Sequence, residues 1–235
     1  MTSKQPFLHV CDQPVYFQED WGAGIGGGLW STGAALAKYL DSPHAARQMP
    51  RRSHPATAML ELGSGNGLLA ACWLALVRSI HHHHEDNMNA PPHTVVVTDT
   101  AEHLPLVRQT LDANPHLVDG MNVHVTEHLW GGFDDDNTPI NKDPALQRTF
   151  DYIVGSDVAY RRELYEPLIT SLQHFCAPHT VILLGCTMVD TTPRFFDLLR
   201  EGGFCYRRLA DHVMPEGYRG QKTFGIFIVQ RVKRS

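Results

Sequence analysis

The 235-residue sequence is short of cysteine, charge and long apolar runs, and each shortage excludes a class of protein. Its five cysteines (Cys11, Cys72, Cys176, Cys186, Cys205) are scattered, odd in number and form no C-x-x-C pair. A disulfide framework and the common zinc modules are therefore excluded. Three of the five lie in apolar runs, where a reduced, buried thiol is expected. Charged residues make up 19%, with a net charge of −5. Proteins that grip polyanions need clustered Lys and Arg, so no nucleic-acid partner is expected. The basic clusters Arg47–Arg52 and Arg231–Arg234 are short and read as solvated surface. The longest uninterrupted apolar run, Leu68–Val77, is too short to cross a bilayer. No apolar h-region opens the chain. A cytoplasmic monomer without membrane contact is the expectation. No G-x-x-x-x-G-K-[ST] occurs, so a P-loop is excluded.

What is present centres on Ala58–Ala71, AMLELGSGNGLLAA. An apolar run, Met59–Leu62, is interrupted by Glu61; glycines follow at 63, 65 and 67; an apolar helix-forming segment, Leu68–Val77, comes next. This reads as strand, tight turn, helix. Glycines at such a turn allow positive φ and let a ligand lie against bare backbone, and the first N–H groups of the helix are free for a polar ligand. A dinucleotide fingerprint needs G-x-G-x-x-G. Here Leu68 stands at its third glycine, which argues against a dinucleotide.

At 235 residues one α/β domain over 1–235 is expected, with residues 1–55 as an N-terminal extension and 56–235 as the core. Val15–Phe17 reads as an edge strand, and Trp21–Gly28, with five glycines, as a turning loop. A helix capped by Ser31 or Thr32 runs to about Leu40, and Asp41–Pro55 is a polar linker. The internal run His81–His84 reads as an exposed loop insertion rather than a metal site, since no ligand stands at zinc spacing nearby. Seven core strands are expected: 59–62, 94–98, 122–126, 150–155, 180–186, 204–209 and 224–231. Helices are expected over 102–114, 162–175 and 193–201. Strands alternating with helices predict a mostly parallel Rossmann-like sheet with helices on both faces. No helix separates the last two strands, so the last strand is expected to be antiparallel.

In such sheets ligands collect at the carboxyl ends of the strands. Gly63, Ser64, Gly65 and Gly67 follow the first strand. Asp99 follows the second, where a carboxylate can take a ribose diol. The interval from Gly67 is 32 residues, lengthened by the histidine insertion. Trp130 follows the third. Ser156, Asp157 and Tyr160 follow the fourth. Blander readings stand beside these: Asp99 as a helix cap, Trp30 and Trp130 as core aromatics, Asp157 as a loop carboxylate.

The pieces Gly28–Trp30, Glu61–Gly67, Thr98-Asp99, Leu111–Asn114, Leu129–Gly131 and FDYIVGSDVAY over Phe150–Tyr160 together resemble methyltransferase family 16. These are the seven-β-strand protein-lysine methyltransferases that use S-adenosylmethionine (SAM). The similarity covers roughly Gly28–Leu209, in the same order. The resemblance implies cofactor contacts at Trp30, Glu61, Gly63, Ser64, Gly65, Gly67, Asp99, Trp130 and Ser156. It also implies a substrate or catalytic role for Asp157 and Tyr160, and a protein substrate such as a chaperone or translation factor. Ser31-Thr32-Gly33 departs from the small residues and proline that usually follow the family's first tryptophan. Two rivals remain open: a methyltransferase with another acceptor, and a catalytically silent module of the same fold.

Overall fold

The computed structural model describes residues 5–48, 57–81, 92–132 and 143–232. The histidines beyond His81 and the acidic run Asp134–Asp136 lie outside the described residues. Before the core, β1 (Leu8–Val10) and β2 (Gln13–Val15) form an antiparallel hairpin. Helices α1 (Ser31–Leu40) and α2 (Pro43–Gln48) follow. The core alternates β3 (Ala58–Leu62), α3 (Leu68–His81), β4 (Thr94–Asp99), α4 (Leu104–Asp112), α5 (Pro115–Val118) and β5 (Asn122–Glu127). It then runs through β6 (Phe150–Ser156), α6 (Tyr165–Phe175), β7 (Cys176–Thr187), α7 (Pro193–Glu201), β8 (Phe204–Arg208) and β9 (Phe224–Arg231).

The seven-stranded sheet has the order β5-β4-β3-β6-β7-β9-β8. The first five are parallel, and β9 runs antiparallel to both β7 and β8. Strands buried on both faces lose polar alternation, which is why TVVVT in β4 is uniformly apolar. Met59, Val95, Val97 and Val154 pack beneath α1 and α3. Leu60, Leu62, Val96 and Ile153 pack on the opposite face beneath α6 and α7. Each fully buried Leu or Val contributes about 1.5–3 kcal/mol. The chain steps outward from β3 to β5 and then returns to β6 on the other side of β3. The strand order therefore reverses between β3 and β6, where open α/β sheets hold their ligands.

Several expected boundaries move. The edge strand ends at Val15, because Asn114 takes both backbone groups of Tyr16: its Oδ1 accepts the Tyr16 N–H (2.8 Å) and its amide donates to the Tyr16 carbonyl (2.7 Å). The linker after residue 41 contains α2. The helix expected over 102–114 is shorter, α4 over Leu104–Asp112, and a further short helix, α5, begins at Pro115 beyond it. The helix expected from Arg162 opens as a 3-10 turn and becomes α-helical at Tyr165. Among the described residues, no helix is long and apolar enough to cross a membrane.

Candidate active site

The turn after β3 is shaped by its glycines. Gly63 (φ 62°) and Gly65 (φ 57°) are both left-handed, a region that costs other residues about 1–2 kcal/mol. The turn is tied to its neighbours through backbone groups. Ser64 N donates to Thr98 O (3.0 Å), and Gly65 N donates to Asp99 Oδ2 (2.7 Å). Asn66 donates its amide to Gly28 O (2.7 Å) and accepts from Leu68 N (3.2 Å) at the start of α3. The glycine-rich segment before α1 lies directly over this turn: a Cβ at Gly65 would meet Gly26 O at 2.7 Å. That segment is ordered as two 3-10 turns, Trp21–Ala23 and Ile25–Gly27. A Cβ at Gly67 would press within 3.2 Å of Val107 on α4.

Asp99 ends β4 and is anchored on both oxygens. Oδ2 holds the glycine turn, while Oδ1 accepts from Thr100 N (2.7 Å) and lies 2.8 Å from His103 Nδ1. It does not cap α4, whose N-cap is His103.

Trp130, after β5, is partly buried. Its Cζ2 lies 3.0 Å from where a Gly63 Cβ would stand, and Val158 Cγ1, after β6, lies equally close. The ends of β3, β5 and β6 thus meet at Gly63. The Trp130 loop is held from α6: Gly131 N donates to Ser171 Oγ (3.1 Å), and buried His128 Nε2 lies 3.0 Å from the same oxygen. Burial pushes His128 down to about 4, with His174 adding to the shift. Neither His128 nor Ser171 is singled out by the sequence; their role is visible only once α6 lies against the loop.

At the end of β6, Asp157 has φ 53°, rare for a residue with a side chain. Its N–H donates to Gly185 O (2.9 Å). Its Oδ2 accepts the hydroxyl of Thr32 on α1, and its Oδ1 lies 3.4 Å from Thr187 Oγ1. Burial raises its carboxyl above the usual range, opposed by the Thr32 and Thr187 hydrogen bonds. Ser156 faces Gly33, where a Cβ would come 3.4 Å from its Oγ. Thr32 is therefore no cap. The N-cap of α1 is Trp30, without a side-chain cap bond. Trp30 is 42% exposed, so it is not a core aromatic, and it meets Trp21 edge-on at 6.0 Å. Tyr160 is 39% exposed and carries the Arg161 guanidinium 5.4 Å over its ring.

Two polar atoms, one in the turn and one at the end of β3, lack a protein partner. Ser64 Oγ and Glu61 Oε2 are buried without a hydrogen-bond partner among the described residues. Each such atom costs about 1–3 kcal/mol if it stays unsatisfied. Glu61, only 2% exposed, is pushed up to about 8 by burial; the Ala70 backbone N–H opposes this and Asp99 reinforces it. Bare glycine backbone, orphaned polar atoms, Asp99 and a flanking indole together fit SAM. Gly63, Ser64 and Gly65 would line its polar portion. Trp130 would offer an aromatic face, which attracts a sulfonium cation by about 0.5–2 kcal/mol.

The sequence model of a family described as "Lysine methyltransferase" matches residues 10–201. Protein N-lysine methyltransferase METTL21A of Mus musculus is 25% identical over 215 residues, covering 88% of this chain and 83% of its own. EEF1A lysine methyltransferase 3 of Xenopus tropicalis is 23% identical over 180 residues, covering 76% and 66%. Among solved structures, a ribosomal protein L11 methylase from Lactobacillus delbrueckii subsp. bulgaricus superposes with a TM-score of 0.56. It is 16% identical and covers 98% of this chain and 91% of its own, a likeness of fold alone.

Proposed function

The chain belongs to the lysine methyltransferase family, and on that premise we propose that it methylates a lysine ε-amine on a protein substrate. When bound, SAM supplies a methyl group on a sulfonium centre, open to in-line attack by a neutral amine. The observation that carries the reading is the meeting of β3 and β6 at their carboxyl ends. Val158, next to Asp157, lies against Gly63 of the glycine turn, which supports reading the end of β6 as the acceptor side of the cofactor cradle.

The residues divide the work. Gly63, Ser64, Gly65 and Gly67 shape the cradle, Glu61 lies beneath it, and Asp99 braces it and offers a carboxylate edge to the ribose. Trp30, Trp130 and Ser156 flank it. Asp157 receives the lysine ammonium and orients it. Tyr160 contributes its hydroxyl or ring face at the mouth. The amine must lose a proton before it attacks; at pH 7 that costs about 4–5 kcal/mol for a lysine of ordinary pKa ~10.4. Positioning supplies most of the catalysis, and the proton leaves through solvent.

The substrate class we favour is a chaperone or translation factor, and the printed name of the Xenopus relative, an EEF1A lysine methyltransferase, supports the second. A monomer in the cytoplasm fits this reading, and the five free cysteines suit a reducing compartment. The test is labelled SAM added with the protein to a lysate of cells that lack it, followed by mass spectrometry. Label on a lysine of one protein is expected. Label on another acceptor, or SAM binding without any transfer, overturns the reading.

A further inference from the structure

We infer that Thr32 is the positioning residue for Asp157, holding its carboxylate in the orientation that receives the acceptor amine; this rests on the methyl-transfer reading above. Thr32 is the second residue of α1 and fully buried. Its hydroxyl donates to Asp157 Oδ2 across 125 positions of sequence. The fold brings the two together by leaving out a side chain. A Cβ at Gly185 on β7 would stand 3.0 Å from Thr32 Cβ and 3.0 Å from Leu36 Cδ1. With none there, the first turns of α1 lie directly on β7. The same Gly185 accepts the Asp157 N–H. Backbone and side chain of Asp157 are thereby held from two elements at once.

The second hydroxyl near Asp157 is a weaker hold. Thr187 Oγ1 lies 3.4 Å from Asp157 Oδ1 but 3.0 Å from Asp190 Oδ2. A hydroxyl has one proton and donates to one carboxylate at a time. The Thr32 proton is directed at Asp157. The groups that face Asp157 are Thr32 on α1 and Thr187, Asp190 and Cys186 on the β7 side. Burial and Asp190 disfavour the ionised carboxylate; the Thr32 hydroxyl, the Thr187 backbone N–H and the Thr187 hydroxyl favour it, in that order. A hydrogen bond donated to a charged acceptor is the stronger kind, so loss of Thr32 both frees the Asp157 rotamer and weakens its negative charge.

The test uses the full chain with Thr32→Val, Thr32→Ala and Thr32→Ser. One readout needs no activity: the Asp157 carboxyl followed by NMR titration, assigned with Asp157→Asn. Its midpoint should rise by about one unit in the Val and Ala variants and stay near wild type in the Ser variant. The second readout is turnover at saturating SAM. kcat should fall roughly ten- to a hundredfold for Val and Ala, recover in Ser, and leave the KM for SAM within about twofold. An unmoved Asp157 midpoint in both Val and Ala overturns the inference. So does a loss that Ser fails to recover, or one carried equally by SAM binding, since either marks Thr32 as a packing residue. If the wild type transfers no methyl to lysine, the functional reading fails, while the titration still decides whether Thr32 holds Asp157.

Discussion

Trp130 touches the space where Gly63 lacks a side chain: a Cβ there would come within 3.0 Å of the indole Cζ2, and equally close to Val158. Gly63→Ala therefore combines left-handed backbone strain of about 1–2 kcal/mol with displacement of both neighbours. A lower melting temperature and a SAM affinity reduced at least tenfold are expected. Thermal melting and titration calorimetry check the two effects. Unchanged affinity would show that Trp130 does not flank the cofactor.

Asp99 braces the glycine turn through Gly65 N and holds His103 as well. Asp99→Ala should weaken SAM by about 1.5–3 kcal/mol, the scale of a hydrogen bond to a charged group. Calorimetry on the folded variant measures this. A variant that binds SAM as tightly as the parent removes the ribose assignment.

Glu61 makes stability depend on pH in an uncommon direction. Its folded value of about 8 lies above the unfolded value near 4.5, so the folded state binds more protons between those limits. The Glu61 contribution to stability is greatest below about pH 4.5, declines as pH rises through the window and levels off above about 8. The slope reaches at most about 1.4 kcal/mol per pH unit. Glu61→Gln mimics the neutral acid and should abolish this slope. Melts of both proteins at pH 5 and pH 8, without SAM, should show the variant gaining on the parent at the higher pH. Parallel losses in the two would place the titration of Glu61 outside this window.

Asp157→Asn and Tyr160→Ala should reduce methyl transfer on an identified target by roughly a hundredfold or more, while SAM affinity and fold are kept. Turnover at saturating SAM, alongside calorimetry, separates the two effects. Near-parental turnover in both variants would leave Asp157 as a structural carboxylate and move the acceptor site elsewhere.

What could be read from the sequence divides along a physical line. The core strands were legible because burial on both faces demands apolar β-branched runs, as in TVVVT. Pro193 and Gly202 bracket α7, whose bounds Pro193–Glu201 match the expectation. The antiparallel pairing of β8 and β9 followed from the missing crossover helix. The β1–β2 hairpin was not legible, because its turn uses left-handed Cys11 and Asp12, with no glycine to announce it. Partnerships between distant side chains were equally hidden. Thr32 reads as a local cap, yet its hydroxyl goes to Asp157; nothing in the sequence marks Ser171, yet it holds the Trp130 loop. Local rules describe how a residue treats its own backbone. They do not say which far element will present a better partner.

The packing of α1 on β7 has a consequence for synthesis on the ribosome. Residues 31–40 leave the exit tunnel long before residues 176–187 exist, and Gly185 is the surface on which α1 rests. Tyr16 likewise waits for Asn114, 98 positions later. Only the part of α1 that rests on β7 waits this long, because its packing against α3 needs nothing beyond residue 81. Contacts this far apart in sequence slow folding, and exposed apolar surface in the interval invites aggregation. The face of α1 that meets β7 is thus a surface left for a holdase to cover while β7 is translated.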